Sequence, residues 1–101
     1  MKFPHAEIDD AVITSLARKY RIKELALFGS ILRDDFNDRS DIDILVEFDP
    51  EVDYSLFDLM EIKEEFSKVL KRHVDLIEKA GLRNPYRKEK ILRTARTIYA
   101  A

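Results

Sequence analysis

The chain has 101 residues, a formal net charge of -2, two histidines and no cysteine. That length suits one domain over residues 1–101 with a single core and one site, and the missing cysteines exclude disulfide staples and thiolate chemistry. The N-terminal run Met-Lys-Phe-Pro-His-Ala-Glu-Ile-Asp-Asp is too polar for a signal peptide, and no apolar run approaches a membrane span, so no membrane partner and a cytoplasmic location are expected.

The first element is an amphipathic helix from about Asp10 to Tyr20, capped by Asp9 or Asp10, with Val12, Ile13, Leu16, Ala17 and Tyr20 at helical spacing. His5 lies ahead of it in a mobile end and is read as a surface residue. Leu25, Ala26, Leu27 and Phe28 then form a buried strand over about residues 23–28 that stops at Gly29. Ser30 has two compatible duties: N-cap of a short helix that carries Ile31, Leu32 and Phe36 inward, and donor to a phosphate. Arg33, one turn on, either contacts phosphate or pairs with Asp34, Asp35 or Asp38.

A second strand is expected over residues 41–48. Ile42, Ile44, Val46 and Phe48 take one face and Asp41, Asp43, Leu45 and Glu47 the other. Side chains two residues apart share a face, about 6 to 7 Å apart along the strand. Two carboxylates so close raise each other's pKa unless a positive charge lies between them, and Mg²⁺ suits the position because it accepts one or two carboxylates alongside substrate phosphates. Glu47 lies at the far end and is read as a surface residue.

After Asp49-Pro50, Ser55 and Asp58 form a variant capping box, followed by a crossover helix to about Lys71 with Leu56, Leu59, Met60, Lys63, Phe66 and Leu70 along one side. His73 to Ile77 is a short third strand. Spacing alone reads Asp75 as a surface aspartate on an edge strand, and His73, on the same side, as structural or exposed. Asn84-Pro85 then starts a last helix through Ile91, Leu92, Ala95, Ile98 and Tyr99.

Charge is unevenly spread along this order. From Asp34 to Asp53 nine acids face only Arg39, whereas Lys79, Arg83, Arg87, Lys88, Lys90, Arg93 and Arg96 meet only Glu89. The basic stretch reads either as a solvated helix face or as a docking surface for triphosphate, an acidic partner or RNA, and the net charge argues against nucleic acid as the main partner.

Gly29-Ser30, ten intervening residues and Asp41-Ile42-Asp43 between two strand-like runs resemble the signature of the nucleotidyltransferase (polymerase beta-like) superfamily. The brevity of the chain makes it similar to the minimal nucleotidyltransferases that act as antitoxins beside HEPN-domain toxins. One departure stands out: Asp34 follows Arg33 where family members often carry glycine.

The resemblance implies an α/β (α+β) fold with a small mixed sheet of three to four strands flanked by helices. It implies catalytic and metal-binding roles for Asp41, Asp43 and Asp75, nucleotide contacts for Gly29, Ser30 and Arg33, two Mg²⁺ ions, and ATP as substrate. The implied activity is transfer of AMP to a tyrosine hydroxyl of a HEPN ribonuclease toxin, in a hetero-oligomer with that partner or a homo-oligomer. The rival expectations are an antitoxin that acts by binding alone and an aminoglycoside-type small-molecule nucleotidyltransferase.

Overall fold

Leu25 to Phe28 are all buried, and the strand that contains them lies inside a sheet. A computed structural model describes the chain from Met1 to Ala101. β1 (Lys2–Phe3) and β2 (Ala6–Glu7) form a hairpin, followed by α1 (Asp10–Lys19), β3 (Ile22–Phe28) and a 3-10 turn over Gly29–Leu32. β4 (Ile42–Phe48), α2 (Leu56–Leu70), β5 (Val74–Glu78), a second 3-10 turn over Lys79–Gly81, α3 (Pro85–Thr94) and β6 (Arg96–Ala100) complete the chain.

The main sheet has the order β5-β4-β3-β6. β3 pairs antiparallel with both β4 and β6, whereas β4 and β5 run parallel across the α2 crossover, which makes the sheet mixed as expected. One face packs Ile42, Ile44 and Val46 against α1 and α2 through Ile13, Leu16, Ile62 and Phe66. The other packs Ala26, Phe28 and Leu45 against Leu82 and Ile91, which places α3 over it.

Local chemistry starts the helices. Asp9 accepts the Ala11 N–H at 2.9 Å, Ser55 and Asp58 complete the expected capping box, and Asn84 accepts from Tyr86 and Arg87 ahead of Pro85.

Four expectations need correction. The last helix stops at Thr94, and Ile98 and Tyr99 belong to β6, because the free edge of β3 offers unpaired backbone groups that this segment satisfies. The N-terminal end is a hairpin rather than a loose tail: Ile8 N–H donates to Met1 O at 2.9 Å, and Phe3 and Ile8 are buried. His5 stays exposed in its turn.

The inward stripe of α2 is Leu59, Ile62, Phe66 and Leu70, while Leu56 and Met60 are exposed. Burying a side chain such as Ile62 or Phe66 contributes about 1.5–3 kcal/mol, and steps of three and four residues keep this set on one face. Finally, Ser30 is not an N-cap. Phe28 takes that place, and Ser30 is the second residue of a 3-10 turn that carries Ile31 into the core.

Candidate functional site

The antiparallel register sets Phe28 opposite Asp43, and the parallel register sets Asp75 beside Asp43. The end of β3 and the starts of β4 and β5 therefore meet at one end of the sheet, on the face that α3 partly covers. Gly29, Ser30, Asp41 and Asp43 of the sequence motif converge there with Asp75.

Gly29 adopts φ +77°, the left-handed region that favours glycine, and a Cβ built on it would stand 2.3 Å from Asp43 Oδ2. The turn thus favours glycine, and any side chain at this position would push the Asp43 carboxylate aside. The Ser30 hydroxyl donates to Asp41 O at 3.4 Å, linking the turn after β3 to the segment before β4.

The loop that delivers Asp41 is pinned from several sides. Ser40 Oγ accepts the Asn37 N–H at 3.0 Å, and Asn37 Oδ1 accepts the Arg39 N–H. From two residues before β5, Arg72 donates to Asn37 O at 2.9 Å and Ser40 O at 3.0 Å, with its guanidinium 4.4 Å from the Phe36 ring.

Electrostatics distinguish Asp43. Burial, first of all, and then the neighbouring carboxylates of Asp75 and Asp41 hold its carboxyl above the ordinary range, against a smaller opposing pull from Arg33 and Arg87. A carboxylate cluster of this kind favours a bound cation, and its all-oxygen aspartate donors fit a hard divalent ion.

His73 joins the cluster. Its Nδ1 lies 3.4 Å from Asp41 Oδ2, and donor atoms of Asp41, His73 and Asp75 lie within 4.8 Å of one another. The sequence marks His73 as structural or exposed, and its side chain is exposed; its place beside Asp41 is what the sequence does not carry. The signal available was its i, i+2 spacing to Asp75, but the parallel register that brings it beside Asp41 is tertiary. On the far side of the cluster, Lys63 Nζ approaches Asp75 Oδ1 at 3.9 Å.

Next to the carboxylates opens a cleft of about 480 Å³ lined by Phe28, Gly29, Leu32, Arg33, Arg87, Lys90, Ile91 and Thr94. Three of these are cations, two of them from α3, so part of the basic C-terminal stretch faces this cleft. Arg33 also forms the expected local ion pair, with Asp35 at 3.1 Å, and it lines the cleft at the same time. A smaller depression of about 280 Å³ around Ala17, Arg21 and Asp49 lies at the opposite end of β3 and β4, away from these groups. No helix is long and apolar enough to cross a membrane.

The chain is similar to known proteins in sequence and in fold. The nucleotidyltransferase domain family matches residues 10–98. A relative from Methanocaldococcus jannaschii, provisionally named a protein adenylyltransferase, is 45% identical over 76 residues, which cover 75% of this chain and 76% of that protein.

A chain from a toxin–antitoxin crystal structure with AMP-PNP superposes with a TM-score of 0.76 at 19% identity, over 93% of this chain and 75% of the other. Another, from the structure of a tri-AMPylated Shewanella oneidensis HEPN toxin with its MNT antitoxin, gives 0.67 at 19% identity over 91% and 70%. At such identities the structural likeness concerns the fold, while the sequence match extends over most of the chain: this protein belongs to the nucleotidyltransferase domain family.

Proposed function

We propose that this chain is a minimal, single-domain antitoxin nucleotidyltransferase that moves AMP from ATP to a tyrosine hydroxyl of a HEPN ribonuclease toxin in the cytoplasm, and so neutralises it. The observation that carries the reading is the adjacency of the Asp41, Asp43 and Asp75 carboxylates to a cleft walled by Arg33, Arg87 and Lys90. Relatives named for protein adenylylation, and a fold shared with chains of toxin–antitoxin complexes, supply the acceptor class.

The chemistry is an in-line displacement at the α-phosphorus. A bond forms from the acceptor oxygen to phosphorus, the bond to the β-phosphate oxygen breaks, and pyrophosphate leaves with that electron pair. Catalysis of this type is mostly positioning and charge stabilisation. The three cations of the cleft wall hold the triphosphate and offset the charge that accumulates on it as pyrophosphate departs. Gly29 leaves room for phosphate and carboxylate to approach closely, and the Ser30 hydroxyl orients the phosphate end. Asp75 takes the acceptor proton.

Asp41, Asp43 and Asp75 would hold divalent metal, in the simplest case two Mg²⁺ ions, which when bound neutralises triphosphate charge and lowers the pKa of the acceptor hydroxyl.

The test is the intact mass of the protein encoded by the neighbouring gene, after incubation with this chain, ATP and Mg²⁺. Gain in whole AMP units with wild type, and none with an Asp41→Asn, Asp43→Asn double variant, is the expected result. A tight complex with no mass gain would overturn the transferase reading in favour of binding alone. Modification of an aminoglycoside without any partner protein would move the acceptor to a small molecule.

A further inference from the structure

We propose that His73 is a ligand of the cation site, so that the site takes a first-row transition-metal dication such as Mn²⁺ in preference to Mg²⁺. The inference rests on the reading of Asp41 and Asp75 as cation ligands and adds a nitrogen donor to them.

Three observations place the imidazole. The backbone N–H of Ile42 donates to His73 O at 3.0 Å, extending the parallel β4–β5 ladder by one step and setting His73 beside Asp41. His73 precedes Asp75 by two residues, so both side chains leave the same face. Its neighbour Arg72 is tied to the backbone of Asn37 and Ser40, which fixes the chain where the imidazole emerges.

The distances fit shared coordination. With bonds of about 2.1 Å, adjacent ligands of an octahedron stand about 3.0 Å apart and opposite ones about 4.2 Å apart. His73 Nδ1 and Asp41 Oδ2 are 3.4 Å apart, and the three donor atoms lie within 4.8 Å of one another. Closing the His73–Asp41 pair takes about 0.4 Å, and a separation at the 4.8 Å limit must close by about 0.6 Å to span an octahedron. His73 and Asp41 are both about half exposed, so their side chains can make that adjustment without repacking the core.

Ligand chemistry then sets the preference. Mg²⁺ favours oxygen donors and dehydrates reluctantly, whereas an imidazole nitrogen raises affinity for first-row transition metals. The alternative, that His73 serves only as a charge partner of Asp41, supplies no nitrogen to an ion.

Pulsed EPR of Mn²⁺ bound to the wild-type protein reads the donor directly, because a coordinated imidazole gives a ¹⁴N coupling and a carboxylate does not. The expected result is a ¹⁴N coupling that disappears in His73→Gln. Calorimetry should show Mn²⁺ affinity reduced about tenfold or more in that variant, since even groups behind a ligand typically carry about 10- to 100-fold, while Mg²⁺ affinity changes little. Mn²⁺ bound tightly without ¹⁴N coupling, and equally by both proteins, overturns the role of His73 and leaves the carboxylate site standing. Failure of wild type to bind either ion overturns both.

Discussion

Gly29→Ala is the substitution whose effect can be worked most directly from the geometry. At φ +77° the added methyl group carries the cost of a left-handed conformation, about 1–2 kcal/mol for a residue with a Cβ. Its Cβ would also lie 2.3 Å from Asp43 Oδ2, where ordinary contact begins near 3.4 Å. The obstructing atom is the tip of a side chain, so the fold survives by moving the carboxylate rather than the strand. The displacement needed is about 1 Å, and a misplacement of that size in a catalytic site costs about 100-fold.

Urea denaturation should therefore show a loss of about 1–2 kcal/mol, and the initial rate of AMP incorporation should fall by about two orders of magnitude in the same preparation. Gly81→Ala is the internal control: its Cβ would meet nothing within 4 Å, and its stability should stay within about 0.5 kcal/mol of wild type. A Gly29→Ala protein that transfers AMP at the wild-type rate would refute the close approach of Gly29 to a working Asp43.

Asp43→Asn should abolish transfer yet stabilise the metal-free protein near neutral pH. The folded-state pKa of Asp43 lies above its usual 3.8, so its stabilising contribution is present below that value and is lost as pH rises through the raised one. Denaturant titrations of both proteins should diverge in favour of Asn as pH increases, and a pH-independent difference would contradict the assignment. Arg87→Ala and Lys90→Ala should each raise KM for ATP by about tenfold, the equivalent of one charged hydrogen bond of about 1.5 kcal/mol; an unchanged KM would remove α3 from the triphosphate cleft. Arg72→Ala should cost about 2 kcal/mol in urea melts by releasing the 36–40 loop from β5, with no recovery in Arg72→Lys because an ammonium lacks the planar fork. Wild-type stability in Arg72→Ala would show that the loop holds itself.

Much of the candidate site is legible along the chain because its signals are local. An apolar run that stops at Gly29, and a period-two pattern broken by Asp41 and Asp43, depend only on strand geometry and reach a reader without any fold. Asp75 was different: spacing left it a surface aspartate, and only family resemblance singled it out before the parallel register set it beside Asp43. The capping residues Asp9, Ser55 and Asn84 were equally readable, since each bonds a backbone group two or three residues away.

What only the tertiary structure decided involves partners remote in sequence. Arg96–Ala100 could continue a helix by its own periodicity, and becomes β6 because β3 presents an edge more than sixty residues earlier in the chain. The N-terminal residues pair with each other while Phe3 and Ile8 enter the core around α1. Arg87 and Lys90 face the cleft because Ile91 anchors α3 on the Asp43 side of the sheet. His73 gains chemical meaning only beside Asp41, across a crossover. Local patterns fix which residues alternate, cap and turn, whereas contacts across the sheet depend on register and layer order, which no short stretch of sequence contains.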